Sequence, residues 1–234
     1  MKNPKIIVAL DCADQAQALL LVRNFSPKLC RLKVGLELFT AAGPGVIGKL
    51  TDLGYDVFLD LKFHDIPNTV ARACKAAANL GVWMLNVHTL GSEKMLVAAR
   101  EAVDKCTNKP ILLGVTVLTS HNAHELETVG LMGEPETTVT RLAALAQKYG
   151  LDGIVCSPKE AAGMRKSFGP DFVLVTPGVR PEGSKTDDQQ RFMTPVDAIR
   201  QGSDYLVIGR PITGSPDPKA SLEAICEELN QLPS

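Results

Sequence analysis

A single-domain (β/α)₈ barrel (TIM barrel) spanning residues 1–234 is the fold this sequence predicts, on three observations. Short β-branched runs recur eight times along the chain. Each run is close to continuously apolar, as parallel strands covered on both faces are. Stretches with helical periodicity fill the intervals, and the 234 residues match a length that α/β barrels commonly occupy as one domain.

In order, the predicted strands are KIIVALD (5–11), RLKVGLEL (31–38), DVFLDLK (56–62), MLNVH (84–88), ILLGVTVL (111–118), GIVCS (153–157), FVLVTPG (172–178) and YLVIGR (205–210). Between them ADQAQALLLVRNF, SEKMLVAAREAV, TTVTRLAALAQKYG and the terminal PKASLEAICEELNQL read as helices. Eight such units are what the barrel needs. A doubly wound open sheet is the competing arrangement. It favours an early glycine-rich phosphate loop, whereas the first strand here runs into LDCADQ. No linker, low-complexity segment or second domain interrupts the alternation.

Composition narrows the function classes. The chain is 45% hydrophobic and 22% charged, with a formal net charge of -1 and a pI of about 6.4. Such a balance provides no global basic field for a nucleic acid or an anionic membrane. There is no run of eighteen apolar residues, and MKNPKIIVALD enters a strand pattern directly instead of reading as a signal peptide. The six cysteines (Cys12, Cys30, Cys74, Cys106, Cys156 and Cys226) are scattered without a C-x-x-C pair. They read as reduced thiols, and the expectation is a cytoplasmic enzyme.

In a barrel of this kind, catalytic groups sit at the C-terminal ends of the strands. Polar residues gather there: Asp11, Lys33, Asp60 and Lys62, His88, Thr119 and Ser120, Arg180, and Arg210, from seven of the eight predicted strands. The third strand is the most telling, because FLDLKFHDIPNT places Asp60, Lys62 and Asp65 within six positions. Two residues apart on a strand, Asp60 and Lys62 are expected to share the face that looks into the barrel mouth. Asp65 falls past the strand end, just before Ile66-Pro67 opens a helix.

A salt bridge tying strand to loop would explain the triad alone. Adding Asp11 and Lys33 on neighbouring strands makes acids and bases alternate across the mouth, an array in which flanking carboxylates keep each lysine protonated. Asp11, Asp60 and Asp65 also suit a divalent metal, but the interleaved lysines occupy the charge-balancing place of a cation. His121 and His124 are spaced H-x-x-H without a third ligand and read as loop residues, so no metal site is expected. His64 and His88 read as supporting residues.

The last two strands end in TPGVRP (176–181) and IGRPIT (208–213). Loops after strands 7 and 8 often hold a phosphate in barrels, through backbone N–H groups that glycine exposes. Gly178 and Gly209 permit close approach, and Arg180 and Arg210 supply charge and forked donors. The polar stretch PEGSKTDDQQR (181–191) suits a lid over such a phosphate, with Gln189 near its end.

These motifs together resemble the orotidine 5′-monophosphate decarboxylase family in its compact bacterial form. The resemblance runs in order through ALD (9–11), KVG (33–35), FLDLKFHDIPNTV (58–70), VTVLTS (115–120), TPGVRP (176–181) and IGRPIT (208–213), with no departure at these positions. It implies decarboxylation of orotidine 5′-monophosphate to UMP without a cofactor, as the last step of pyrimidine nucleotide synthesis. Lys62 would protonate C6, within a charged network of Lys33, Asp60, Lys62 and Asp65. Asp11 and Lys33 would contact ribose hydroxyls, and Thr119 or Ser120 the pyrimidine edge. Arg180, Gln189, Gly209 and Arg210 would bind phosphate. Asp65 and Thr69 would reach into the neighbouring subunit's site, making the functional unit a homodimer.

Two rivals stay open on these residues. A sugar-phosphate decarboxylase or aldolase-like homologue shares the barrel and D-x-K-x-x-D, but needs a metal-binding carboxylate near strand 2, where Glu37 lies close to Lys33. A non-catalytic nucleotide-phosphate sensor would retain the pocket, yet gains nothing from an anion-repelling array.

Overall fold

Eight parallel strands close into a barrel in chain order. In this computed structural model, residues 3–119, 121–181 and 193–232 are described. The strands are β1 (Ile6–Ala9), β2 (Cys30–Gly35), β3 (Val57–Phe63), β4 (Met84–His88), β5 (Ile111–Val115), β6 (Gly153–Val155), β7 (Val173–Pro177) and β8 (Tyr205–Ile208). Pairing of β1 with β8, Ile6 opposite Leu206, completes the ring.

Helices cover the outside. They are α1 (Gln15–Val22), α2 (Leu36–Ala42), α3 (Gly45–Asp52), α4 (Pro67–Asn79), α5 (Glu93–Asp104), α6 (Ala123–Thr128), α7 (Pro135–Lys148), α8 (Ala161–Phe168), α9 (Pro195–Arg200), α10 (Arg210–Thr213) and α11 (Pro218–Asn230). Among the described residues, three connections hold two helices where one was expected, after β2, β5 and β8. The predicted second strand, 31–38, therefore ends early: Gly35 is the N-cap of α2, and Glu37 and Leu38 are helical. The fifth strand likewise stops at Val115 and the first at Ala9, leaving Asp11 and Thr119 on the loops beyond. Apolar runs do not mark where ladder bonding stops, which depends on the neighbouring strand.

Strand alternation sorts the core into two layers. Ile6, Val8, Leu32, Val34, Leu59, Leu85 and Val87 face the helices and join the larger apolar cluster. Ile7, Ala9, Phe58, Met84, Leu113, Val175 and Val207 fill the barrel interior. Burying each large side chain contributes about 1.5–3 kcal/mol, so the interior packing makes the mouth above it a rigid mount.

On β2 the interior face carries two cations, which burial alone would make unfavourable. Arg31 lies at the base. Its Nε donates to Asp56 Oδ2 at 3.1 Å, its Nη2 to Asn3 Oδ1 at 2.5 Å and its Nη1 to the Pro4 carbonyl. The guanidinium also stacks 4.1 Å from the Trp83 ring centre and 5.1 Å from that of Tyr205, an arrangement suited to a planar cation. With the base so closed, the second cation, Lys33, stands at the mouth.

All six cysteines are free thiols. Burial pushes the Cys30 and Cys74 thiols up to about 12 and raises Cys156 as well. Such thiols are protonated and unreactive at neutral pH.

Candidate active site

At the C-terminal mouth, a cavity of about 360 Å³ is lined by Asp11, Lys33, Asp60, Lys62 and Thr119 from the β1, β2, β3 and β5 ends. Gly178, Arg180, Gly209 and Arg210 line it from the β7 and β8 ends. Lys33 is central to the charged side. Its Nζ lies 3.4 Å from Asp11 Oδ1 and 3.4 Å from Asp60 Oδ2, while Lys62 Nζ lies 2.7 Å from Asp60 Oδ1. The ammonium of Lys33 fits because the next residue but one is Gly35, where a Cβ would approach Nζ to 3.1 Å.

Asp60 is 9% exposed and sits between the two lysines. Burial, the largest influence on its carboxyl, works to raise its pKa. The charges of Lys33 and Lys62, with hydrogen bonds from Lys62 and Asn86, outweigh burial and hold it below its ordinary value of 3.8. Replacing Asp60 would leave the buried Lys33 ammonium without its buried counter-ion, and breaking a buried pair in this way costs about 3–5 kcal/mol.

Because the folded pKa lies below the unfolded one, Asp60 stabilises the fold in full above pH 3.8. That contribution is lost as pH falls through the lower folded value, where both states bind the proton. Asp60→Asn is therefore expected to show a smaller loss of Tm than wild type between about pH 6 and about pH 3. Equal losses in the two proteins would contradict the depressed pKa.

Lys62 does not follow the plain alternation expected of it. Its φ is +50°, a left-handed conformation that costs a residue with a Cβ about 1–3 kcal/mol. The β3–β4 ladder shifts register between Leu59 and Phe63. Lys62 faces Asp60 through this irregularity, since plain pleating does not continue to that point. Asn86 takes up the displaced backbone: its Oδ1 accepts from the Lys62 N–H at 2.8 Å, and its Nδ2 donates to Asp60 Oδ1 at 2.8 Å. Sequence reasoning passed over Asn86. Its one signal is a lone amide within the apolar run MLNVH, two residues beyond an interior methionine.

Asp65 and Thr69 are exposed and do not line the cavity of their own chain. Asp65 Oδ1 accepts from the Ile66 N–H at 2.6 Å at the entry to α4, where Pro67 takes the expected first helical position. Ile66 beside them is 67% exposed.

On the β7 side, Gly178 adopts φ +79°, a turn that a residue with a Cβ rarely makes. Arg180 is buried, and its N–H donates to the Met193 carbonyl at 3.0 Å. The bridge Val179–Met193 joins the two flanks of segment 182–192. Gln189 and Ser120 lie outside the described residues.

His64 and His88 pack with ring centres 5.5 Å apart. Burial, then His64 and Lys62, hold the His88 imidazolium below its usual range, and its Nδ1 is buried without a partner among the described residues. Neither histidine lines the cavity. His121 and His124 are exposed, and no group of three metal-ligating side chains occurs among the described residues.

A closed parallel barrel with a lysine–carboxylate array and an arginine-flanked glycine pair at its C-terminal mouth has the architecture of a barrel enzyme, with its charged groups at the strand ends. Comparison with known proteins narrows the class. The model of the orotidine 5′-phosphate decarboxylase / HUMPS family matches residues 4–225. A Nitrosomonas europaea orotidine 5′-phosphate decarboxylase is 57% identical over 229 residues, covering 98% of both chains. The Nitrosococcus oceani counterpart is 54% identical over 232 residues, 99% of this chain and all of that one. The crystal structure of the Lactobacillus acidophilus orotidine 5′-phosphate decarboxylase superposes with a TM-score of 0.87 at 40% identity, covering 97% of this chain and 100% of that one. The chain belongs to the orotidine 5′-phosphate decarboxylase family, and it is a decarboxylase of that family.

Proposed function

We propose that this chain converts orotidine 5′-monophosphate to UMP and carbon dioxide, with Lys62 as the proton donor to C6 and without metal or organic cofactor. The continuous Asp11–Lys33–Asp60–Lys62 array at the cavity wall carries the reading. Breaking the C6–carboxylate bond leaves its electron pair on C6, where no carbonyl is placed to delocalise it as a simple enolate. Stabilisation then comes from charge already in place, an ammonium aimed at the carbon where negative charge develops. Carbon dioxide departs, C6 takes a proton from Lys62 Nζ, and the neutral amine regains one from solvent.

The remaining residues divide the binding. Arg180 and Arg210, with backbone donors near Gly178 and Gly209 and with Gln189, hold phosphate. Asp11 and Lys33 contact ribose hydroxyls, and Thr119 with Ser120 reads the pyrimidine edge. Binding energy from the remote phosphate is available to assemble the site, and the lid expected over 181–191 lies, but for Pro181, outside the described residues. Asp65 and Thr69 complete the site of a second copy, which accounts for two polar residues and an exposed Ile66 just beyond Lys62.

None of the described helices is long and apolar enough to cross a membrane, and we place the enzyme in the cytoplasm.

The test is the fall in absorbance of orotidine 5′-monophosphate mixed with purified protein in excess EDTA. Turnover undiminished by the chelator is expected. Loss of turnover, with recovery on adding magnesium, would overturn the metal-free mechanism, and no turnover with or without magnesium would favour the sugar-phosphate reading. Glu37, its nearest carboxylate by sequence, lies on α2 and is not among the residues lining the cavity.

A further inference from the structure

Asn86 is 0% exposed, so it touches no substrate, yet it holds two members of the array at once. β4 turns Met84 into the barrel interior, and Asn86, two residues on, stands on the same face. Across on β3 the matching pair is Phe58 and Asp60, since Phe58 pairs with Met84. The ladder then breaks: Leu59 pairs with Leu85, but the next pair is Phe63 with Val87. Four steps of β3 thus face two steps of β4, and the Lys62 N–H is carried out of the regular ladder.

A buried backbone donor needs an acceptor. Asn86 Oδ1 provides it at 2.8 Å, and the other end of the same amide donates to Asp60 Oδ1 at 2.8 Å. The amide cannot usefully reverse. Turned over, its NH₂ would face an N–H and its carbonyl would face a carboxylate, so both contacts would be lost. Asp60 Oδ1 in turn receives Lys62 Nζ at 2.7 Å. Asn86, the Lys62 backbone, the Lys62 ammonium and Asp60 therefore close a ring of hydrogen bonds around the left-handed residue at φ +50°.

We infer that Asn86 is a positioning residue for proton transfer: it holds Lys62 in its left-handed conformation and orients the Asp60 carboxylate, so that the ammonium is aimed before substrate arrives. The inference rests on the reading of Lys62 as proton donor. Filling an irregular stretch of strand would be a purely structural role, and any well-packed residue of similar size would serve it. Linking the backbone of one charged residue to the carboxylate of another needs an acceptor and a donor at fixed separation, which an asparagine amide supplies.

The test is a cycle of kcat and KM measurements on wild type, Asn86→Leu, Lys62→Ala and the double variant, with Tm recorded for each. Asn86→Leu keeps the volume and removes both hydrogen bonds. The expected result is a kcat about 10–100-fold lower with KM within about threefold, because a displaced catalytic group loses rate before binding. In the Lys62→Ala background the same change is expected to cost nothing further, since it acts through the missing lysine.

Unchanged kcat in Asn86→Leu, or an equal loss in both backgrounds, would overturn the inference. Near-normal turnover of Lys62→Ala by itself would instead overturn the proton-donor reading, so the two failures are separable. If Asn86→Leu does not fold, Asn86→Asp takes its place in the cycle. It preserves the shape and the acceptor for Lys62 N–H but, when ionised, loses the donor to Asp60. The same pattern is expected of it, and wild-type kcat would overturn the inference.

Discussion

Lys62→Ala is expected to lower kcat by at least about 10³-fold, combining a lost general acid with lost charge stabilisation at the reacting carbon. Product binding should survive, because the residues proposed to hold phosphate sit on the β7 and β8 side of the mouth. The structural cost should also be modest. Lys62 is half-buried at the rim, its replacement relieves no apolar packing, and Lys33 remains 3.4 Å from Asp60 to balance that carboxylate. The decisive measurement is turnover of orotidine 5′-monophosphate beside calorimetric titration with UMP. Turnover within about tenfold of wild type would remove Lys62 from the role of proton donor.

An effect of similar size is expected from the far side of the site. If each subunit lends Asp65 and Thr69 to its neighbour, Asp65→Ala should be close to inactive although Asp65 lies outside its own chain's cavity. Mixing Lys62→Ala with Asp65→Ala chains then restores activity. In a mixed dimer one site carries both defects and the other is native. Random exchange makes half the dimers mixed, so activity should recover to about one quarter of wild type. The mixture is unfolded and refolded together, and turnover is compared with each parent alone. Recovery no greater than the average of the parents would exclude a shared site.

How much of this was legible beforehand differs by element. The eight strands were, because each apolar run is a local property of the chain and repeats at an interval only a helix can fill. So was the placement of Asp60 and Lys62 near the mouth. Their juxtaposition was expected from simple alternation, however, and the structure reaches it another way, through a register shift and a left-handed lysine. The end of β2 was misplaced by three residues because LEL continues the apolar run, while Gly35 hands the chain to α2. Periodicity does not distinguish an apolar strand end from the first turn of a helix.

Sequence by itself determined the barrel, the charged residues at its strand ends and the family, since these rest on residue chemistry and order along the chain. Only the tertiary structure decided which acid holds which lysine. It alone showed that Lys33 reaches both Asp11 and Asp60 and that an asparagine on the next strand bonds both the Lys62 backbone and the Asp60 carboxylate. Those contacts join residues 22 to 27 positions apart. Their geometry is set by the register between neighbouring strands and by one backbone dihedral, quantities that exist only once the barrel has closed.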